Sequence, residues 1–444
     1  MKNIKSLAVL FAMALTVSAA SAADIWVSVE TGSKKGGDSQ SNPIKNLQKA
    51  IDNAEEGDTI HIAEGVYTGN LNCGHYDIGD KNSHKGKAVN LIGGYSKDFS
   101  SRDVLAHQTI LRSSYETSGA LGSDALLNIN LSDMKHTMVV DGLILDRGTS
   151  NGYHKVEGKP EGCQTGMLVI PPTTGTAIDG HDKTYTITTP LLRGEFSGNL
   201  TIQNCLFVNG ANYAIQYGVR DGNMVIKNNV FVNNRMASCE VRGLTADPML
   251  NNVEFCNNTV LFTWTRVKDL GDMGYAYRYM NGSNHIVHDN IFGFTTRVAL
   301  DRGFKEHDKK VEDQKKNTSD NNVFIMNKIG DLSLPGSGTG LYVKAKDFDD
   351  VDELSSSDNN KELTDFSALK GCLNQAYLNG YLNLQYSETT DFDPNSAANQ
   401  LRSAMGMNQV GRIDSKVSMF ANYYPVEDAL KVFGAMAGVG AQKP

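Results

Sequence analysis

A short motif recurs five times in the middle of the chain, and in each copy two apolar stretches flank a pair of turn-forming residues. The central pairs are Asn204-Cys205, Asn228-Asn229, Asn257-Asn258, Asp289-Asn290 and Asn321-Asn322. Successive pairs are 24, 29, 32 and 32 residues apart. A repeat of this length cannot bury its own apolar side, so consecutive copies must stack and share one core.

The central pair of each copy predicts a sharp corner between two short strands, because Asn, Asp and Gly tolerate left-handed backbone better than other residues. Coils that stack at the strand spacing of about 4.8 Å bring equivalent corners together, so their Asn side chains can hydrogen-bond from coil to coil. Such a ladder explains why 15 of the 40 Asn lie between residues 201 and 300. No helical periodicity separates the strands, which argues against a doubly wound sheet. We therefore predict an all-β fold, a right-handed parallel β-helix.

An amphipathic helix is predicted near the N-terminus. Asn42 can cap it, Pro43 suits its first position, and Ile44, Leu47 and Ile51 fall on one face. A helix laid over the open end of a stack shields the first apolar coil, as terminal repeats require. The segment therefore has a capping role.

The repeats and the N-terminal run resemble a known group of proteins. The run contains Ile25-Trp26-Val27-Ser28, Asn42-Pro43-Ile44 and Gly57-Asp58-Thr59-Ile60. Together they resemble the right-handed parallel β-helix proteins of the pectin-lyase-like superfamily over roughly residues 24–330. That superfamily includes lyases, hydrolases, epimerases and non-catalytic surface proteins, so the resemblance implies the fold and a polysaccharide partner rather than one activity.

Residues 1–22 have the pattern of a secretory signal peptide. Lys2 and Lys5 precede an apolar stretch over residues 7–17, and Ala20-Ser21-Ala22 offers a cleavage site. The apolar stretch is too short to span a bilayer, which takes about 20 residues, and no later window is apolar enough. We expect export to the periplasm, the cell surface or the medium, with no membrane span in the mature chain.

The net charge argues against one class of partner, and the positions of three cysteines and one histidine predict structural roles for them. The formal net charge is −8, so a nucleic-acid partner, which needs a basic footprint, is not expected. Six Cys are present, and Cys205, Cys239 and Cys256 lie inside strand-like repeats, which predicts small core or turn residues. His288 sits beside a corner and is predicted to be a neighbour of the Asn ladder rather than a general base.

The repeat pattern fades after residue 330, where the predicted β-helix of residues 23–330 ends. Residues 331–365 form an acidic, polar stretch that lacks the Gly and Glu of an EF-hand loop, so we predict a solvated connection. Residues 366–444 mix helical and extended signals, with a helix expected over 426–435. This part is predicted to be a C-terminal cap or an extra layer.

Candidate functional residues come from the third strand of each coil. These strands are predicted at 167–170, 214–217, 238–242, 275–279 and 298–302, and alternation decides which way each side chain points. The residues predicted to point inward are Ile215, Tyr217, Cys239, Val241, Val298 and Leu300. The residues predicted to point outward are Gln216, Glu240, Arg242, Arg278, Arg297 and Asp301.

Two enzymatic reactions and one calcium site are candidates for this outward face. A lyase acting on a uronic-acid sugar needs a base beside cations that neutralise the carboxylate, and Arg242 or Arg278 could be that base. Glu240 and Asp301 could hold calcium. An inverting glycosidase needs two carboxyls about 6.5–9.5 Å apart, whereas these two lie two coils apart, roughly 10 Å, which is marginal.

Further residues are predicted to bind substrate beside the outward face. Gln216 and Arg297 lie on the face itself, and Trp264 and Arg266 fall in a long insertion that would form the wall of a groove. Three tyrosines over residues 275–279 alternate along one strand, which favours core stacking over a platform for sugars.

The simplest interpretation of the charged face, which assigns it no function, is a solvent-exposed surface on which opposite charges pair. The Asn-Thr-Asp, Gly-His-Gly and Arg-Ile-Lys motifs of polygalacturonase-like hydrolases are absent from the sequence. We therefore favour an exported protein that binds polysaccharide or serves a structural role at the cell surface without catalysis. The alternative is a polysaccharide lyase that acts on an acidic glycan. A glycoside hydrolase acting on such a glycan is the less favoured form of this alternative.

Overall fold

The computed structural model describes residues 22–69, 75–112, 125–148, 190–210, 212–264, 274–302, 316–335, 341–385, 392–411 and 423–444, and the short paired strands Tyr153–His154 and Val169–Ile170. The chain is 41% strand and 14% helix. It is therefore a strand-rich protein, and most of its strands belong to long parallel sheets.

Fourteen strands within the described residues form the first sheet. In chain order they are Asp24–Val27, Thr59–Ala63, Tyr76–Ile78, Asn90–Tyr95, Leu127–Asp141, Leu192–Gln203, Ile215–Lys227, Ala237–Gly243, Asn251–Cys256, Tyr275–Tyr279, Asn284–His288, Val298–Asp301, Gly330–Leu334 and Leu341–Val343. All pairs of named strands in it are parallel except the last, where Gly330–Leu334 meets Leu341–Val343 in antiparallel register.

Nine short strands in the described part of the chain form the second, wholly parallel sheet. They are Gly65–Tyr67, Thr109–Leu111, Leu143–Asp146, Leu206–Val208, Val230–Val232, Thr259–Leu261, Ile291–Gly293, Val323–Ile325 and Lys361–Glu362. From residue 192 to 325 the chain alternates between the two sheets, and each return adds a strand beside the equivalent strand of the previous coil. This topology is compatible with the predicted solenoid.

In several coils, the predicted third strand and the strand before the next Asn corner form one continuous strand. The strand Ile215–Lys227 pairs through its first half with Ala237–Gly243 and through its second half with Asn251–Cys256. The predicted strand at 214–217 is thus the start of a longer, bent strand. The predictions at 275–279 and 298–302 match Tyr275–Tyr279 and Val298–Asp301, whereas most of 167–170 lies outside the described residues.

The corners between the two sheets confirm the turn prediction. Left-handed φ angles of 51–55° occur at the first residue of every central pair, namely Asn204, Asn228, Asn257, Asp289 and Asn321. A β-branched residue would be strained there, whereas Asn and Asp are tolerated. The corner residues are therefore selected by backbone geometry as well as by hydrogen bonding.

The second residue of each pair forms a buried ladder. Asn258 shows the pattern: its Oδ1 accepts from the backbone N–H of Asn229 at 2.9 Å, and its Nδ2 donates to the carbonyl of Ile226 at 2.8 Å. Equivalent bonds continue through Asn290 and Asn322. Because the side chains of Asn229, Asn258, Asn290 and Asn322 bond to neighbouring coils, the predicted coil-to-coil ladder is confirmed.

The N-terminal helix is shorter than predicted. It covers Leu47–Asn53 and is capped by Asn46, whose side chain accepts from the backbone N–H of Lys49 at 3.0 Å. The segment from Asn42 to Ile44 is extended instead and bridges to Val27 and to Ser33. Asn46 wins over Asn42 as the cap because the backbone before it is already hydrogen-bonded as a strand. The apolar face is as predicted, since Ile44, Leu47 and Ile51 all enter the main core.

The acidic stretch after residue 340 is not a simple solvated connection. Its 3-10 helix Ala345–Asp350 and the residues that follow bury one apolar side chain at every third position. These side chains are Ala345, Phe348, Val351 and Leu354, and all belong to the main core. Phe348 packs edge-on against Phe324 at 5.4 Å. A 3-10 helix has three residues per turn, so this spacing places the apolar residues on the core and the acidic ones outside.

The C-terminal residues cover the outer face of the second sheet. Their helices include Gln375–Gln385, Ala397–Ala404 and Val426–Ala429, with 3-10 turns at Phe366–Leu369 and Leu430–Val432; another 3-10 turn, Pro248–Leu250, lies elsewhere. Leu206, Val230 and Leu261 of the sheet share one apolar cluster with Leu378 and Val432. Hydrogen bonds anchor this C-terminal layer to the coils, for example between Asn209 and Tyr424 at 2.9 and 3.0 Å. The helix expected over 426–435 is thus shorter and ends in a 3-10 turn.

The cysteines predicted as core residues are buried. Cys205 and Cys239 are 0% exposed and Cys256 is 6% exposed. Burial raises the pKa of the Cys205 thiol to about 12 and raises that of Cys239 well above its ordinary value. Both therefore stay as inert thiols. Among the described residues no helix is long and apolar enough to cross a bilayer.

Candidate functional site

One row of polar residues crosses eight neighbouring strands of the first sheet in continuous register. In order along the sheet, this polar row consists of Asp77, Asn128, Arg193, Gln216, Glu240, Arg278, Asp301 and Ser333. The sequence predicted the four members from Gln216 to Asp301 as neighbours on one face, and the register bears this out. Arg242 lies two residues beyond Glu240 and pairs with Gly218.

At one end of the polar row, Arg278 joins two carboxylates. Its Nε donates to Asp301 Oδ2 at 2.8 Å, and a terminal nitrogen donates to Glu240 Oε2 at 3.0 Å. Ser333 donates to the other oxygen of Asp301, and Gln216 Nε2 donates to Glu240 Oε1 at 3.2 Å. Arg278, Glu240 and Asp301 are 7%, 8% and 3% exposed, so this triad is largely desolvated.

The triad geometry bears on the chemistry predicted for these residues. Burial acts against the charge of Arg278, but the carboxylates of Asp301 and Glu240 outweigh it and hold its pKa above the usual range. A base must give up its proton first, so this arrangement favours a positioning role for Arg278. The guanidinium also occupies the space between Glu240 and Asp301 in which the predicted calcium would lie. Tyr275 covers the guanidinium with its ring, 4.9 Å from the guanidinium carbon.

At the other end of the polar row lies an open cleft of about 430 Å³. Its walls come from four strands of the first sheet and the segment around Lys81. The lining side chains are Lys81, His84, Asn128, Asn130, Arg193, Glu195, Gln216, Tyr217, Glu240 and Arg242, with Gly194 and Gly218 contributing backbone. Carboxamides, cations and two acids thus share one concave surface.

The cations of the cleft differ in whether they are paired. Lys81 lies 3.5 Å from Asp77, and His84 Nδ1 lies 3.1 Å from Glu195 Oε2. Arg193 and Arg242 are exposed, and neither has a carboxylate partner among the residues that the structure describes. Two guanidinium groups in this cleft therefore remain available to an anionic ligand.

The remaining predicted site residues lie elsewhere. Arg297 does not line the cleft: it donates to the hydroxyl of Tyr342 at 2.9 Å and its guanidinium lies 5.4 Å from the Tyr275 ring. Trp264 is 0% exposed and belongs to the apolar cluster beneath the C-terminal layer, so its predicted place in a groove wall is wrong. Arg266 falls outside the described residues.

The three tyrosines of the strand Tyr275–Tyr279 separate into two environments. Tyr277 and Tyr279 point into the main core, where the Tyr277 hydroxyl lies 2.7 Å from His285 Nδ1 and the Tyr279 hydroxyl donates to the carbonyl of Thr318 at 2.7 Å. Tyr275 instead packs in a small cluster with Tyr213, Ala237 and Val298. Core stacking is thus correct for Tyr277 and Tyr279, and Val298 is buried as predicted, in this small cluster.

The sequence pattern did not reveal six of the ten side chains that line the cleft. Arg193, Glu195 and Asn130 precede the first Asn corner, so no motif marks their coil. A signal for Arg193 was present, because Leu192 lies 23 residues before Ile215, close to the length of the shortest repeat, and the two residues are paired in the sheet. His84 and Lys81 come from a separate segment, and no local pattern connects them to the sheet.

Comparison with known proteins does not assign the chain to a family. No protein-family model matches the chain, and no curated protein matches it. The function must therefore be argued from the polar row and the cleft themselves.

Proposed function

We propose that the protein binds an extended acidic polysaccharide along the polar row, without cleaving it. The observation that carries this is the pair of exposed guanidinium groups, Arg193 and Arg242, that have no carboxylate partner in the described cleft. Guanidinium groups bind carboxylate and sulfate through paired, charge-assisted hydrogen bonds. The surrounding carboxamides of Asn128, Asn130 and Gln216 suit the hydroxyl groups of a sugar.

The spacing of the cations favours a long ligand. Arg193 and Arg242 lie on strands separated by one other strand, so their backbones are about 10 Å apart across the sheet at the usual strand spacing. Two long side chains at this separation can each bind a different charged residue of one chain. The concave cleft between them would hold the sugar rings.

The fold and location that we infer agree with this function. The paired sheets, the left-handed corners and the buried Asn ladder support a right-handed parallel β-helix similar to the pectin-lyase-like proteins. The N-terminal pattern supports export, which would place the chain among extracellular or surface glycans.

Binding without cleavage is favoured over the lyase alternative by the state of the two arginines. Arg278 is held charged by its two carboxylates, which makes it unsuited to removing a proton from a sugar, and Arg242 is exposed and has no carboxylate partner in the described cleft. One observation supports the alternative: His84 lies in the cleft beside Glu195, and an imidazole is a suitable base near neutral pH. A lyase acting through this histidine is the second candidate.

Replacing Arg193 or Arg242 with alanine should weaken binding of a polyuronate by about 10- to 100-fold each, since a hydrogen bond to a charged group contributes about 1.5–3 kcal/mol. The mature protein would be titrated with polyuronate, with sulfated glycan and with a neutral glucan, by calorimetry at two salt concentrations. Binding of the acidic glycans should fall with salt, and the glucan should not bind.

Lys431→Ala is the matched control, because it removes one positive charge from the C-terminal layer. Equal affinity in the arginine variants and in this control, or equal binding of the glucan, would refute the proposal. Growth of ultraviolet absorbance from an unsaturated sugar, abolished by His84→Ala, would instead establish the lyase.

A further inference from the structure

Three different metal-ligating side chains meet at one corner of the first sheet. Cys256 and His288 are paired neighbours in adjacent strands, and Glu254 lies two residues before Cys256, so it projects from the same face. The sulfur, one imidazole nitrogen and one carboxylate oxygen all lie within 4.8 Å of one another. None of the three lines the cleft described above.

The imidazole of His288 is already oriented for a metal. Its Nδ1 lies 2.7 Å from Asp289 Oδ2, and its Nε2 lies 3.2 Å from Glu254 Oε1. Histidines that bind metals commonly donate the other ring N–H to a carboxylate, which fixes the tautomer and the ring orientation. Asp289 is itself held at the left-handed corner, with φ of 55°.

The fold does not require these residue types. The strand positions equivalent to Cys256 are Gln203 and Lys227 in preceding coils, and the positions equivalent to Glu254 are Val225 and Ile286. The coils therefore stack equally well without a thiol or an imidazole at this corner. Convergence of Cys, His and Glu in adjacent coils is a local feature that needs its own explanation.

The site is open to solvent. The side chains of Glu254 and His288 are 42% and 28% exposed, while Cys256 lies beneath them at 6%. Sulfur, nitrogen and oxygen donors in one set match Zn²⁺ and similar transition ions, whereas Ca²⁺ and Mg²⁺ select oxygen alone. Three protein ligands leave one tetrahedral position for water.

We propose that Glu254, Cys256 and His288 form a binding site for Zn²⁺ or a chemically similar divalent transition ion, and that Asp289 positions His288. Cys256 binds as the thiolate and His288 binds through Nε2, so the thiol proton and the Nε2 proton that now faces Glu254 are both released to solvent when the two metal bonds form. This site does not depend on glycan binding in the cleft.

Co²⁺ titration of the full chain, kept reduced with a phosphine, tests the proposal. We expect one Co²⁺ per chain, an intense thiolate-to-cobalt absorption band, displacement by Zn²⁺ and release of about two protons per ion, one from Cys256 and one from His288. Cys256→Ser should abolish the band and weaken binding by at least about 100-fold, whereas Cys372→Ser, which changes a free thiol in the C-terminal layer, should leave both unchanged.

Asp289→Asn provides a second readout that a merely structural role would not move. Asn occupies the same left-handed corner in four other copies of the repeat, so this variant should fold and melt like the original protein. Its Co²⁺ affinity should fall by about 10–100-fold, the usual cost of losing the partner of a metal-binding histidine. Cobalt binding without a thiolate band, or binding unaffected by Cys256→Ser, would overturn the assignment.

Discussion

Replacing Arg278 with methionine should lower the free energy of unfolding by about 3–5 kcal/mol, the usual cost of removing one partner from a buried ion pair. Methionine keeps much of the length of the side chain but leaves Glu240 and Asp301 as unpaired charges in a desolvated site. Both carboxylates now bind this guanidinium at 3.0 and 2.8 Å. Urea denaturation followed by circular dichroism measures the change.

A triple variant separates charge from packing. In Arg278→Met combined with Glu240→Gln and Asp301→Asn, no charge remains buried, so most of the lost stability should return. A single Arg278→Met variant as stable as the original protein would show that solvent reaches these carboxylates. Glycan affinity measured on the triple variant would also reveal whether the triad contributes to binding beyond holding the sheet together.

Asn258→Ala should destabilise the protein by at least about 3 kcal/mol, because each buried partner left without a hydrogen bond costs about 1–3 kcal/mol. Two donors of Asn229, its backbone N–H and its Nδ2, would lose their acceptor, and the carbonyl of Ile226 would lose its donor. The melting temperature and the urea midpoint should both fall.

Asn252→Ala is the matched control for the buried ladder. Asn252 belongs to an outer ladder in which it bonds Asn223 at 3.0 Å and Asn284 at 2.8 Å, and water can replace the exposed bond to Asn223. Its loss should cost under about 1 kcal/mol. Similar losses in both variants would mean that the inner amides are no better sheltered than the outer ones.

Features that depend on local spacing could be predicted from sequence. The corner at Asn228 needs a residue that accepts left-handed backbone, and the apolar residues on either side define its two strands. Once the coil length is known, alternation also places Glu240 and Arg278 as neighbours across two strands. The outward row from Gln216 to Asp301 was recovered in this way.

Features that depend on distant segments could not be predicted. Trp264 looks like part of an exposed insertion until the C-terminal layer, more than 100 residues later, packs against the same cluster. Phe348 sits among acidic residues, and only its spacing of three from Ala345 and Val351 marks it as core. The contact between His84 and Glu195 joins two segments with no common pattern, so no sequence pattern indicated that His84 and Lys81 line the cleft.

The position of the C-terminal layer in the chain has a consequence for biosynthesis. Residues that shield Leu206, Val230 and Leu261 leave the ribosome after every coil they protect. Until those residues have been made, the second sheet must therefore present an uncovered apolar strip, which is the kind of surface that chaperones recognise and that drives aggregation. The C-terminal layer is therefore the last part of the chain to cover this sheet. We expect the yield of folded protein to depend on how quickly that layer is synthesised and packs.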